Sequence, residues 1–144
     1  MNSLQVRERT EDRVLDGGNF SEVEAQILMT TLKHRTAVQK ALAMIKSRIR
    51  DLPTLDQLAS LSGLSRTYFS CVFKEVTGMR LQDYLTQIRL DRAKDLLENI
   101  DLKIKQISHE VGFSDPNYFC RFFKQKLGQS PTNWRVSRIL EKYS

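Results

Sequence analysis

Apolar residues recur along this chain mostly three and four positions apart, the spacing that keeps them on one side of an α-helix. Alternating runs of the kind that build strands are almost absent, there is no Asn-Gly hairpin, and glycines are few. The pattern predicts an all-α protein. The first sixteen residues are highly charged and read as disordered, and Gly17-Gly18-Asn19 breaks any element there. Ser21 with Glu24 forms a capping box that opens a short helix to about Lys33. A basic amphipathic helix follows from about Thr36 to Arg50, with Val38, Leu42, Ile45 and Ile49 on one side, and Asp51-Leu52-Pro53 ends it.

Thr54 with Gln57 opens a short helix to about Leu61, Gly63 turns the chain, and Ser65 caps a second helix to about Val76, stopped by Gly78. A long helix spans about Leu81 to Glu98. Then the short pattern returns. A helix of about Ile104 to Glu110 leads to a turn at Gly112, a cap at Ser114 and a helix to about Leu127, stopped by Gly128. Ser130 as cap and Pro131 at the first helical position open a last helix through Trp134 and Ile139.

The recurrence is a repeat. Leu55, Leu58 and Ala59 align with Ile104, Ile107 and Ser108, and Gly63, Leu64 and Ser65 with Gly112, Phe113 and Ser114. After one inserted residue, Tyr68, Phe69, Phe73, Lys74 and Gly78 align with Tyr118, Phe119, Phe123, Lys124 and Gly128. Each copy has what a steeply crossed helix pair requires: a small residue where the helices meet, a glycine at the turn and an apolar plug after it. The second helix of each pair carries an apolar stripe, Phe69, Val72, Phe73 and Val76 or Phe119, Phe122 and Phe123. The five aromatics between Phe113 and Phe123 therefore read as core rather than as a ligand pocket. The expected organisation is an extension or linker over residues 1–35, partly disordered with one short helix, and a domain over 36–144. That domain holds a first helix–turn–helix at about 54–78, a linking helix at about 81–98 and a second helix–turn–helix at about 103–128. The expectation is about seven helices plus the N-terminal one.

Charge adds a partner. Residues 1–35 hold five Lys/Arg and six Asp/Glu, net −1, whereas residues 36–144 hold eighteen and eleven, net +7. A basic excess confined to the repeat favours a polyanion. If the apolar stripes are core, the opposite face of each second helix is the candidate surface. The first copy shows Arg66, Thr67, Ser70, Cys71 and Lys74 there, and the second Asp115, Asn117, Cys120, Arg121 and Lys124. Arginine pairs bidentately with guanine and asparagine with adenine, while the surrounding lysines and arginines meet phosphate. The linking helix, about 18 residues at about 1.5 Å each, spans about 27 Å. Successive major grooves on one face of DNA lie about 34 Å apart, so two reading heads fit adjacent grooves if the heads add a little reach or the DNA bends, bending being the preferred reading.

Two strings carry a family resemblance: "TLDQLASLSGLSRTYFSCVFKEVTGMRLQDYLTQIRLDRAKDLL" and "IKQISHEVGFSDPNYFCRFFKQKLGQSPTNWR". In the second, the Gly-Phe-Ser start, the Tyr-Phe and Phe-Lys pairs and the Gly-x-Ser-Pro ending before Trp134-Arg135 form a specific signature. Over about residues 38–138 the chain resembles the DNA-binding domain of the AraC/XylS-type bacterial transcription regulators. The resemblance implies two helix–turn–helix subdomains on a linking helix, double-stranded promoter DNA as partner, and regulation that is usually activation through contact with RNA polymerase. By position, it implies base reading by Arg66, Thr67, Ser70, Cys71, Asp115, Asn117 and Arg121. Phosphate contacts would fall to Lys74, Lys124, Lys126 and Arg135. Ser108 departs from the commoner alanine. Many members carry a large sensing and dimerisation domain, and only about 35 residues precede the domain here. The chain is thus expected to be either a short stand-alone regulator or the end of a longer one, with the helix from Ser21 as a linker, a dimer helix or a surface helix.

Other classes are weaker. Cys71 and Cys120, with His34 and His109, show neither metal-ligand spacing nor a partner base, so no metal, cofactor or enzymatic activity is expected. A nonspecific architectural DNA-bending protein, the DNA-binding module of a DNA-repair alkyl acceptor, and a protein-binding adaptor remain as alternatives. With no signal peptide and no membrane-length apolar run, the cytoplasm is the expected compartment.

Overall fold

Ser21 opens the first element as its cap predicts: the Glu24 amide donates to Ser21 Oγ at 3.1 Å and the Ala25 amide to the Ser21 carbonyl at 3.0 Å. Helix α1 (Glu22–Ser47) then runs without interruption. The computed structural model describes residues 21–144, so the readings for the first sixteen residues and for Gly17-Gly18-Asn19 lie outside the described residues. The two helices expected on either side of Lys33–Thr36 are one. Thr36 does not cap a new helix; its Oγ1 donates back to the Leu32 carbonyl at 2.9 Å, as Thr31 Oγ1 does to Ile27. No glycine or proline occurs between Glu22 and Ser47 to force a break.

The remaining helices follow the expected boundaries closely: α2 (Leu55–Ser62), α3 (Arg66–Thr77), α4 (Leu81–Leu97), α5 (Ile104–Glu110), α6 (Pro116–Leu127) and α7 (Pro131–Tyr143). The described residues thus hold seven helices and no strand, one helix fewer than expected because of the merger in α1. The chain divides into two compact units. One takes the chain up to Ala43 with Leu55–Leu81, the other Met44–Thr54 with Gln82–Ser144. One helix–turn–helix pair falls in each.

In the first unit the buried apolar residues are Val38 and Ala41 of α1, Leu58 and Ala59 of α2, and Phe69, Val72 and Phe73 of α3. In the second, Leu90, Ala93 and Leu97 of α4 enclose Ile107, Val111 and Phe113, then Phe119 and Phe123 of α6 and Trp134 of α7. Ring centroids lie 5.4 Å apart for Phe113–Phe119, 5.9 Å for Phe119–Phe123 and 6.2 Å for Phe123–Trp134, the last edge to face. The aromatic run is therefore core, with Phe122 half-buried against it and Tyr118 outside it. Tyr118 is 53 % exposed, and its counterpart Tyr68 is 46 % exposed. A phenol can keep its hydroxyl in water at the helix margin, where a phenylalanine would be drawn in.

Both turns have the predicted form. Gly63 has φ +69° and Gly112 φ +94°, backbone that a side chain strains. The Leu64 amide donates to the Ala59 carbonyl at 3.0 Å and the Phe113 amide to the Ser108 carbonyl at 2.9 Å. Ser108 is fully buried and its hydroxyl donates to the Phe113 carbonyl at 3.3 Å, which satisfies the polar group that distinguishes it from Ala59.

The helix caps bring one correction. Ser65 caps α3 as expected, its Oγ accepting the Tyr68 amide at 3.2 Å. The cap of α6 is Asp115 rather than Ser114: Asp115 Oδ1 accepts the Asn117 amide at 2.9 Å. Pro116 decides this, because a proline has no amide to satisfy and suits the first helical position. The extra residue of the second copy thus lies before the cap. Ser65 corresponds to Asp115, Arg66 to Pro116 and Cys71 to Arg121.

Candidate nucleic-acid interface

Burying Phe69, Val72 and Phe73 turns the other side of α3 outward. Arg66, Thr67, Cys71 and Lys74 are exposed and Ser70 is half-buried. Arg66, at the first position of α3, has its Nε 3.0 Å from Asp56 Oδ1 of α2, and both side chains are about two-thirds exposed. Such a surface pair contributes about 0–1 kcal/mol, so a competing anion can take the guanidinium over at little cost.

Burying Phe119 and Phe123 does the same for α6. Asn117, Arg121 and Lys124 are exposed, and with about 3.6 residues per turn they fall in one stripe. The Arg121 guanidinium carbon lies 5.9 Å from the Tyr118 ring centre. Asp115 is exposed but engaged as the helix cap. Cys120 is half-buried beside the second core, and burial pushes its thiol pKa up. An activated thiolate needs the opposite shift.

Two of the expected phosphate ligands sit elsewhere. Lys126 is exposed, but nine residues beyond Asn117 it falls on roughly the opposite side of α6. Arg135 is turned into the fold. Its Nε donates to the Leu97 carbonyl at 2.8 Å, and its Nη2 to the Asn99 and Leu102 carbonyls at 3.1 and 2.8 Å. The guanidinium clamps the end of α4 and the loop to α5, satisfying carbonyls that a helix C-terminus leaves open. Nothing in the local sequence of Trp134-Arg135 gives this away, since the acceptors are 33–38 residues distant.

The residues that sequence reasoning overlooked are Tyr68 and Tyr118. The signal was present: both copies place tyrosine, not phenylalanine, just before the first buried Phe. Tyr68 OH lies 3.0 Å from His34 Nε2, with the two rings edge to face at 5.4 Å. Tyr118 instead packs against Phe113 at 5.8 Å, under Arg121. Among the described residues no group of His, Cys, Asp or Glu is placed to hold a metal ion, and no helix is long and apolar enough to cross a membrane.

Two helix–turn–helix pairs, each turning a polar and basic stripe of its second helix to solvent, define a double helix–turn–helix module. A family model described as a helix-turn-helix domain matches residues 58–137. The chain is 36% identical over 101 residues to an uncharacterised HTH-type transcriptional regulator, YijO, of Escherichia coli, covering 68% of this chain and 36% of that one. It is 30% identical over 122 residues to the HTH-type transcriptional activator RhaR of Salmonella dublin, covering 76% and 43%. Among solved structures, the C-terminal domain of the two-component response regulator yesN from Fusobacterium nucleatum matches with a TM-score of 0.64 and 37% identity, over 69% of this chain and 98% of that one. The chain belongs to the AraC/XylS-type family of bacterial transcription regulators. It spans between a third and a half of the length of the curated relatives it matches.

Proposed function

We propose that this chain is the sequence-specific DNA-binding part of a transcription regulator, inserting α3 and α6 into successive major grooves of promoter DNA. One observation carries the reading. The two second helices share a buried scaffold but present different exposed side chains, as two reading heads facing different bases require. Arg66, Thr67, Ser70 and Cys71 form the reading set of the first helix, and Asn117 and Arg121 that of the second. Lys74 and Lys124 take phosphate. Asp115 is assigned first to capping α6, and it adds base reading where a cytosine amino group comes within reach. Lys126 and Arg135 are left out of the phosphate set. Residues 36–144 are the DNA-binding domain, and the chain before them is an extension or linker.

The regulator is an activator that meets RNA polymerase, a reading supported by the activator RhaR among its relatives, and it works in the cytoplasm. Binding bends the DNA, because the linking helix α4, 17 residues and about 26 Å long, falls short of the groove spacing of about 34 Å. The test is equilibrium competition. A labelled promoter fragment bound at physiological salt is challenged with unrelated duplex. A regulator keeps a preference of about a thousandfold or more for its site. Equal displacement by any duplex would make the protein an architectural binder instead.

A further inference from the structure

At the start of α6 two rings and two cations, drawn from α4, the turn and α6 itself, form a continuous series of contacts that α3 lacks. The Arg89 guanidinium of α4 lies 5.1 Å over the Phe113 ring. Phe113 lies 5.8 Å from Tyr118, and Arg121 lies 5.9 Å over the outer part of that same series, at the Tyr118 ring. Phe113, within the series, is buried, and Tyr118 and Arg121 at its outer end are exposed. In the first pair the position of Arg121 is held by Cys71, and Tyr68 turns to His34 instead.

We infer that Tyr118 is a positioning residue for base reading: its ring, braced from beneath by Phe113, holds the Arg121 guanidinium ready for a bidentate contact to guanine. This rests on the reading of α6 as a recognition helix. An exposed arginine samples many rotamers, and binding must freeze one of them. A guanidinium resting on an aromatic face has already lost part of that freedom, and its planar fork stays available at the edge. The bracing matters because Tyr118, half exposed on its own helix, is fixed through contact with a buried ring.

The experiment measures binding of the intact chain to its selected site and to the same site changed one base pair at a time. Arg121→Ala identifies the pair that Arg121 reads, with discrimination there falling about five- to 150-fold. Tyr118→Leu keeps apolar cover over Phe113 but removes the π face, and Tyr118→Phe keeps the face but removes the hydroxyl. The inference expects Tyr118→Leu to narrow discrimination about two- to fivefold at that same pair and at no other. Tyr118→Phe should retain it, and Tyr118→Leu should add nothing in the Arg121→Ala background. The inference is overturned if Tyr118→Leu weakens all sequences equally, if Tyr118→Phe loses as much as Tyr118→Leu, or if the two losses multiply. It is also overturned if Arg121→Ala leaves every preference intact. A wild-type chain with no preference at any pair would instead refute the proposed function itself.

Discussion

The two helix–turn–helix pairs share their main buried apolar positions and differ at most of the exposed ones, Lys74/Lys124 and Tyr68/Tyr118 being the matches. Leu58 and Ile107, Phe69 and Phe119, Phe73 and Phe123 are all fully buried at matching positions. The turns around them differ. A Cβ added to Gly63 would meet nothing within 4 Å, whereas one added to Gly112 would lie 2.9 Å from the Arg50 carbonyl oxygen, 3.1 Å from that of Ile49 and 3.3 Å from Arg89 Nη2. The second turn is thus packed beneath the chain that follows α1 and beside α4. Arg50, next to that turn, also pairs with Glu110 at the end of α5. The first glycine is needed for its backbone angle alone. The second is needed for its angle and for its lack of volume. A duplicated motif keeps its internal packing but acquires separate surroundings, and the same residue type then answers to different constraints.

The comparison can be broken first at the shared scaffold. Phe123→Ala removes a fully buried ring that touches Phe119 and Trp134, and should cost about 3–5 kcal/mol in denaturant unfolding. A loss under about 1 kcal/mol would mean that the aromatic run is not the core of the second pair. The glycines sharpen the contrast. Gly63→Ala should cost about 1–2 kcal/mol, the strain of a left-handed backbone angle. Gly112→Ala adds overpacking against backbone oxygens that cannot rotate away, about 1–3 kcal/mol more. Equal losses at the two turns would show that the crowding at Gly112 relaxes without cost.

Much of this was legible in the sequence because the signals are local. Ser21, Ser65 and Ser130 cap the helices they were expected to cap, and Gly78 and Gly128 end α3 and α6 with their amides bonded to the Lys74 and Lys124 carbonyls. Failures came where local signals were ambiguous or the partner was far away. A new helix is expected from about Thr36, yet nothing there breaks α1, and the Thr36 hydroxyl bonds back four residues inside it. Ser114 and Asp115 are both good caps, and only Pro116 chooses between them. The fate of Arg135 depends on carbonyls at Leu97, Asn99 and Leu102, which no window around Arg135 contains. Of the candidate interface, the stripe was readable from helical periodicity. The roles of Tyr68 and Tyr118 needed the placement of His34 and Arg121.

The central claim is that the two exposed stripes read two different stretches of one DNA duplex. Selection of bound fragments from a random duplex pool tests it most directly. The account predicts two clusters of preferred base pairs with their centres about 10–10.5 base pairs apart, unlike in sequence because Thr67 and Cys71 face one and Asn117 and Arg121 the other. Enrichment of a single cluster, or no enrichment over the starting pool, would contradict it.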